Sequence, residues 1–311
     1  MSIARIYAIA LNTYREAVRD RVLFGVLVLA AGVLALTLAL AELSLDQQMR
    51  VVTDLGLASI SIFAVVVAIF LGSSLLYKEI ERKTLYVILP KPIARYEFLL
   101  GKYFGIVATC TVFIAIMGAL QLLVTAIQAG AATSLVFGVP IGLILLLAIG
   151  FVVAKDRTTV VPVWSLAALG ACAWVASSVD VELFRLLSSL LLSTGEVLIL
   201  TAVALLFSSF STPFLTGAFT FGVWLVGRSA DDMVAMKTRV LSPAIKSVLG
   251  WLAQVVPNFN LFVPGRQTLV VASAEFGTPA GYVGTTMGYA ILYAAATLII
   301  ASLVFRRRDF L

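Results

Sequence analysis

Long apolar runs alternate with short polar breaks along almost the whole chain. Eight runs, at residues 22–43, 57–77, 103–127, 135–154, 160–178, 186–207, 213–227 and 284–305, approach the about 20 residues that carry a helix across a hydrocarbon core of about 30 Å. They are continuously apolar rather than alternating, which predicts helices and argues against a membrane β-barrel. The seventh run is short, and the fifth contains Pro162. The pattern predicts an all-α polytopic transmembrane helix bundle, a single domain over residues 1–311, with eight spans favoured and six possible.

The breaks between runs differ in kind. Across residues 1–21, Ile3, Ile6, Tyr7, Ala10, Tyr14, Ala17 and Val18 recur at helical spacing, while Arg5, Asn12, Arg15, Glu16 and Arg19 fall largely on the opposite face. That spacing predicts an interfacial helix, with Tyr14, Arg15, Arg19 and Arg21 at the headgroup boundary. Residues 78–102 hold six Lys or Arg and three Glu between two apolar runs, so they must lie in water on one side of a bilayer. Residues 128–134 and 208–212 are tight turns. The one long soluble-facing stretch is 228–282. Within it Leu241, Ile245, Val248, Leu249, Leu252, Val255 and Val256 predict an amphipathic helix on the outer leaflet, ended by Pro257-Asn258.

Composition agrees with the pattern. The chain is 61% hydrophobic and 12% charged, against about 25% charged in soluble domains. If both termini are cytoplasmic, the short loops carry fifteen Lys and Arg inside and two outside, the asymmetry that sets orientation. The sequence pI near 9.4 follows from this topology and does not argue for nucleic acid. Cys110 and Cys172 fall within predicted spans as small apolar residues, and histidine is absent. No phosphate-binding loop occurs, since Gly101-Lys102 lacks its upstream glycine, and neither a dinucleotide fingerprint nor a metal-ligand cluster is present. No catalytic residue, cofactor or metal is therefore expected in this polypeptide.

Two features within the spans bear on mechanism. Glu196 is the one ionisable residue near the middle of a run, where a charge costs at least about 2.5 kcal/mol. It either lines a transport path or relays protons, or it hydrogen-bonds a Ser or Thr on a neighbouring helix. Gly138 with Gly142, and Gly284 with Gly288, allow close helix approach, serving either ordinary packing or a dimer seam.

Several segments together resemble the permease subunits of type 2 ATP-binding-cassette exporters: 12–25 (NTYREAVRDRVLFG), 206–219 (LFSSFSTPFLTGAF), 255–262 (VVPNFNLF), 305–310 (FRRRDF) and, most specifically, 76–105 (LYKEIERKTLYVILPKPIARYEFLLGKYFG). The resemblance implies that Lys78, Glu79, Glu81, Arg82, Lys83 and Thr84 form a coupling helix docked on a separate cytosolic ATPase subunit, which binds the ATP. Pro90 and Pro92 would turn the chain back, and Arg95, Glu97 and Lys102 would enter the third span. Residues 1–21 would be the family's elbow helix, and the stretch around 241–256 its external cap. It further implies a homodimer in a bacterial inner membrane, with both termini cytoplasmic and no nucleic-acid partner. The usual count there is six spans, and 135–178 adds two apolar runs here, which makes either an eight-span subgroup or a bundle in which one pair is re-entrant. The rival class is an ion-gradient-driven secondary transporter, which would need intramembrane charges and often inverted repeats; only Glu196 qualifies, and no repeat is visible.

Overall fold

The computed structural model describes residues 2–44, 47–81, 94–154, 156–231, 250, 255–263 and 278–307. Among the described residues all regular structure is helical: α1 (Ser2–Val18), α2 (Arg21–Glu42), α3 (Gln48–Glu81), α4 (Arg95–Gln128), α5 (Thr133–Val153), α6 (Arg157–Ser177), α7 (Leu183–Ser208), α8 (Pro213–Arg228) and α9 (Pro279–Arg307), with a 3-10 turn at Phe259–Phe262. Seven of these, α2 to α7 and α9, are long and apolar enough to cross a membrane. The chain is a multi-pass helical membrane protein. The remaining predicted span forms as α8, but its 16 residues reach only about 24 Å at 1.5 Å per residue, short of the hydrocarbon thickness.

Local chemistry sets the helix ends. Asp20 breaks the chain after α1 and caps α2, accepting from the Val22 amide at 3.0 Å. Asp156 caps α6 through the Thr158 amide at 3.2 Å and its hydroxyl at 2.8 Å. These are the acceptors that orphan N–H groups require at a helix start. Gly130, at φ +78°, supplies the left-handed residue that turns the chain after α4. Pro213 opens α8, where its missing N–H costs nothing.

The chain gathers into two compact units. The first comprises Met1–Thr13, Ala68–Val107 and Gly195–Leu311. In it α1 lies directly against α4, because Gly101 and Gly105 leave room for it. A Cβ on Gly105 would sit 2.6 Å from the Ala10 carbonyl oxygen, and one on Gly101 would sit 2.6 Å from Ile9. Arg5 pairs with Glu97 at 3.6 Å across the same contact. The second unit comprises Tyr14–Val67 and Ala108–Thr194. Its core gathers Ala119, Leu122, Ala126, Ala168, Cys172, Val175, Ala176 and Leu186. There Gln121 donates to the Val52 carbonyl at 3.0 Å, and Trp164 ties α6 to α5 through the Leu143 carbonyl at 2.8 Å. Both cysteines are buried and free.

Three sequence expectations change. Tyr14 is 4% exposed and packed inside protein rather than at the headgroup boundary, and burial pushes its phenol up to about 12. Arg21 belongs to α2, not to the interfacial helix, which ends at Val18. The third span begins at Arg95 instead of Tyr103, so Glu97 and Lys102 are helical and buried.

The α1–α4 contact should be intolerant of volume. Gly105→Val is expected to cost about 1–3 kcal/mol through overpacking, read as a lower thermal midpoint in detergent. Gly25→Val should change little, because no atom lies within 4 Å of a Cβ there. Equal effects at the two sites would refute the close approach.

Candidate functional site

The predicted coupling residues are only partly placed. Lys78, Glu79 and Glu81 continue α3 through its last turn. Their side chains, and Arg82, Lys83 and Thr84 altogether, lie outside the described residues. Both helices flanking this segment are 34 residues long, about 51 Å each and well beyond a hydrocarbon core.

The start of α4, just after that segment, is braced on two sides within the first unit. Besides the Arg5–Glu97 pair, Arg95 Nη1 donates to the Phe305 carbonyl at 3.1 Å. The Phe98 and Phe305 rings stack with centroids 6.4 Å apart. The beginning of the chain and the end of its last helix thus meet at one helix terminus. Of the interfacial residues, Arg15 makes an ion pair with Asp156, Arg19 occupies the turn after α1, and Arg21 opens α2.

Glu196 sits at the middle of α7 with its side chain 1% exposed. Its Oε1 accepts from Trp224 Nε1 at 2.8 Å and from Arg228 Nη1 at 3.0 Å. The Arg228 guanidinium also lies 5.7 Å from the Trp224 ring centroid, within cation–π range. Glu196 thus forms an ion pair with the last residue of α8, a partner that the sequence reading had not named. Sequence reasoning assigned Arg228 to the external loop. The clue available was that a carboxylate at mid-span needs a donor, and Arg228 closes the shortest apolar run.

Beside this pair lies the stretch 255–263, the non-helical part of the resemblance motif. Glycines next to each charge make its seat. A Cβ on Gly195 would meet Phe262 and the Met287 sulfur at 2.8 Å, and one on Gly227 would meet the Pro257 carbonyl oxygen at 2.2 Å and Phe259 at 2.7 Å. Phe259 and Phe262 are fully buried. Asp231, just beyond α8, accepts from the Asn258 and Asn260 side-chain amides, each at 2.7 Å. Three tyrosines of α9 serve the backbone: Tyr282 donates to the Leu261 carbonyl at 2.7 Å, Tyr293 donates to the Val255 carbonyl at 3.0 Å, and Tyr289 accepts from the Asn258 amide at 3.1 Å. Tyr293 lies about 21 Å along α9 from Pro279, so the stretch runs alongside the helix from deep in the span toward its start.

Neither of the small-residue seams is packed against another side chain or backbone among the described residues. At Gly138, Gly142, Gly284 and Gly288, no atom lies within 4 Å of the point where a Cβ would stand. A separate apolar groove of about 500 Å³ runs along α4, α7 and α9, with Tyr96, Phe104, Leu198, Ala294, Ala295 and Ile299 among its walls. Among the described residues no group of acidic or Cys side chains could hold a metal ion. Comparison with protein-family models and with curated proteins gave no match.

The Asp156 charge generates a pH prediction. The Thr158 hydroxyl bond first, then its amide bond and the Arg15 guanidinium, hold the Asp156 carboxyl below the usual carboxylate range. A depressed folded-state value stabilises above the unfolded value of about 3.9 and is lost as pH falls through the folded one. Asp156→Asn keeps the cap but removes the charge. The thermal-midpoint gap between native protein and D156N should be open at neutral pH and close on acidification below the carboxylate range. A gap independent of pH would refute the charge contribution.

Proposed function

We propose that this chain is the membrane permease subunit of an ATP-driven transporter resembling the type 2 exporters, worked by a separate cytosolic ATPase and paired with a second permease copy. The observation that carries the reading is the charged segment 78–102 and its seating. Its two described ends belong to helices about 51 Å long, and its far end is braced against α1 and the end of α9. A push delivered there reaches three elements directly. A loop serving only as a solvated connection has no need of the Gly101 and Gly105 seats or the Arg95–Phe305 bond.

Orientation fits the same reading. The meeting of α1 and the end of α9 at one terminus of α4 supports both ends of the chain lying on one side. The basic residues clustered in those ends and in 78–102 favour the cytoplasm of a bacterial cell, at its inner membrane. An even number of crossings then requires α8 and the residues after it to count together as one. The ion-gradient alternative rested on Glu196, and there Arg228 already occupies the carboxylate that a coupling cation would need.

Reversing Glu81 and Arg82 together should release the ATPase, since stranding one partner of an interfacial charge pair typically costs about 2–5 kcal/mol. Reversing Arg239 and Lys246, in the stretch assigned outside, should leave binding unchanged. A pull-down from membranes checks both. Equal behaviour of the two pairs, or robust ATP hydrolysis by the isolated chain, would overturn the reading.

A further inference from the structure

Burying an ion pair is a poor route to stability, because desolvation offsets most of the attraction and apolar residues of similar volume often do as well. The Glu196–Arg228 pair is therefore hard to explain as simple packing, and its surroundings suggest a different role. Gly195 and Gly227, the residues preceding the two charges, are the two places where the 255–263 stretch presses Phe262 and Phe259 onto α7 and α8. Asp231, about one turn beyond Arg228, holds that stretch by two amide bonds. The end of α8 is thus joined to α7 by the ion pair and to the 3-10 turn by Asp231. If the pair parts, the movement of the α8 terminus is handed to the turn, and both glycine seats open together.

We propose that Glu196–Arg228 is a charged latch that keeps Pro257, Phe259 and Phe262 of the 255–263 stretch seated against α7 and α8, and that parting it exposes this buried part to water. The bonds around the stretch match that role. They are hydrogen bonds that involve side chains, which can exchange for water, and its two anchor rings are buried where the glycines make room for them. Trp224 steadies the carboxylate and, through its ring, the guanidinium, so the closed state is held by three groups that release as one. The inference concerns accessible states of this chain alone and does not depend on the identity of any ATPase.

The test uses the full chain in lipid nanodiscs, with C110A and C172A removing both native thiols and Leu261→Cys as reporter; only the Leu261 backbone takes part in the bonds described. Leu261 is half-buried in the seated state, so a water-soluble maleimide should label this reporter at a reduced, measurable rate that serves as the baseline. E196Q and R228Q should each raise the rate by about tenfold or more, as a minor open state becomes a major one. The exchanged pair E196R/R228E should bring the slow rate back. Gly227→Ala provides a route that leaves both charges intact: by crowding Phe259 and the Pro257 carbonyl it should also speed labelling, even if the charge variants fail to fold. The proposal is overturned if folded E196Q and R228Q label at the native rate. It is equally overturned if Gly227→Ala folds with its reporter still protected.

Discussion

A peptide group in hydrocarbon has no water to bond, and almost everything in this molecule follows from that. Helices satisfy their own backbone, so helices fill the spans. Hydroxyls placed within them turn back on the same helix: Thr37 donates to the Leu34 carbonyl, Ser193 to Ser189, Thr220 to Thr216 and Thr297 to Tyr293. Such bonds let Ser and Thr sit in a bilayer without a partner on another helix. The 255–263 stretch is the exception that needs external help, and the Tyr282, Tyr289 and Tyr293 hydroxyls on one face of α9 provide it.

The same constraint explains what was legible in the sequence. Continuous apolar runs announce spanning helices almost without ambiguity, and seven of the eight expected runs became helices of spanning length. The remaining run, short already in the sequence, folds over nearly the same residues as α8; what the sequence did not show is that Arg228 at its end reaches a carboxylate on another helix. Pairings of that sort involve residues far apart in the chain, and no local pattern marks them. Tyr14 illustrates the complementary error. Its place on an amphipathic helix was readable, but whether that face meets lipid or protein depends on partners contributed by distant segments. The apolar run alone starts at Tyr103, while the resemblance already carried Arg95, Glu97 and Lys102 into the third helix, which begins at Arg95; a helix emerging from a membrane can carry charge for several turns once its neighbours bury and pair it.

Glycine plays two separable parts in this fold. At Gly101, Gly105, Gly195 and Gly227 the missing side chain is filled by another element, and those four positions decide how closely α1 and the 255–263 stretch can approach. At Gly138, Gly142, Gly284 and Gly288 the same absence faces open space. Spacing alone cannot tell these cases apart, since both follow from a residue type that is common in spans.

The α5–α6 hairpin adds a last consequence. The two halves of the hairpin differ: α6 places Ala168, Cys172, Val175 and Ala176 in the core of the second unit, whereas Val136 is the buried residue of α5, which is held by α6, by Trp164 and by the residues around the Asp156 cap. Of the two, only α5 contributes so little interior that it can change without reopening the core of its unit. Its outward residues answer only to the need to remain apolar, so drift should run faster there than in α4 or α7.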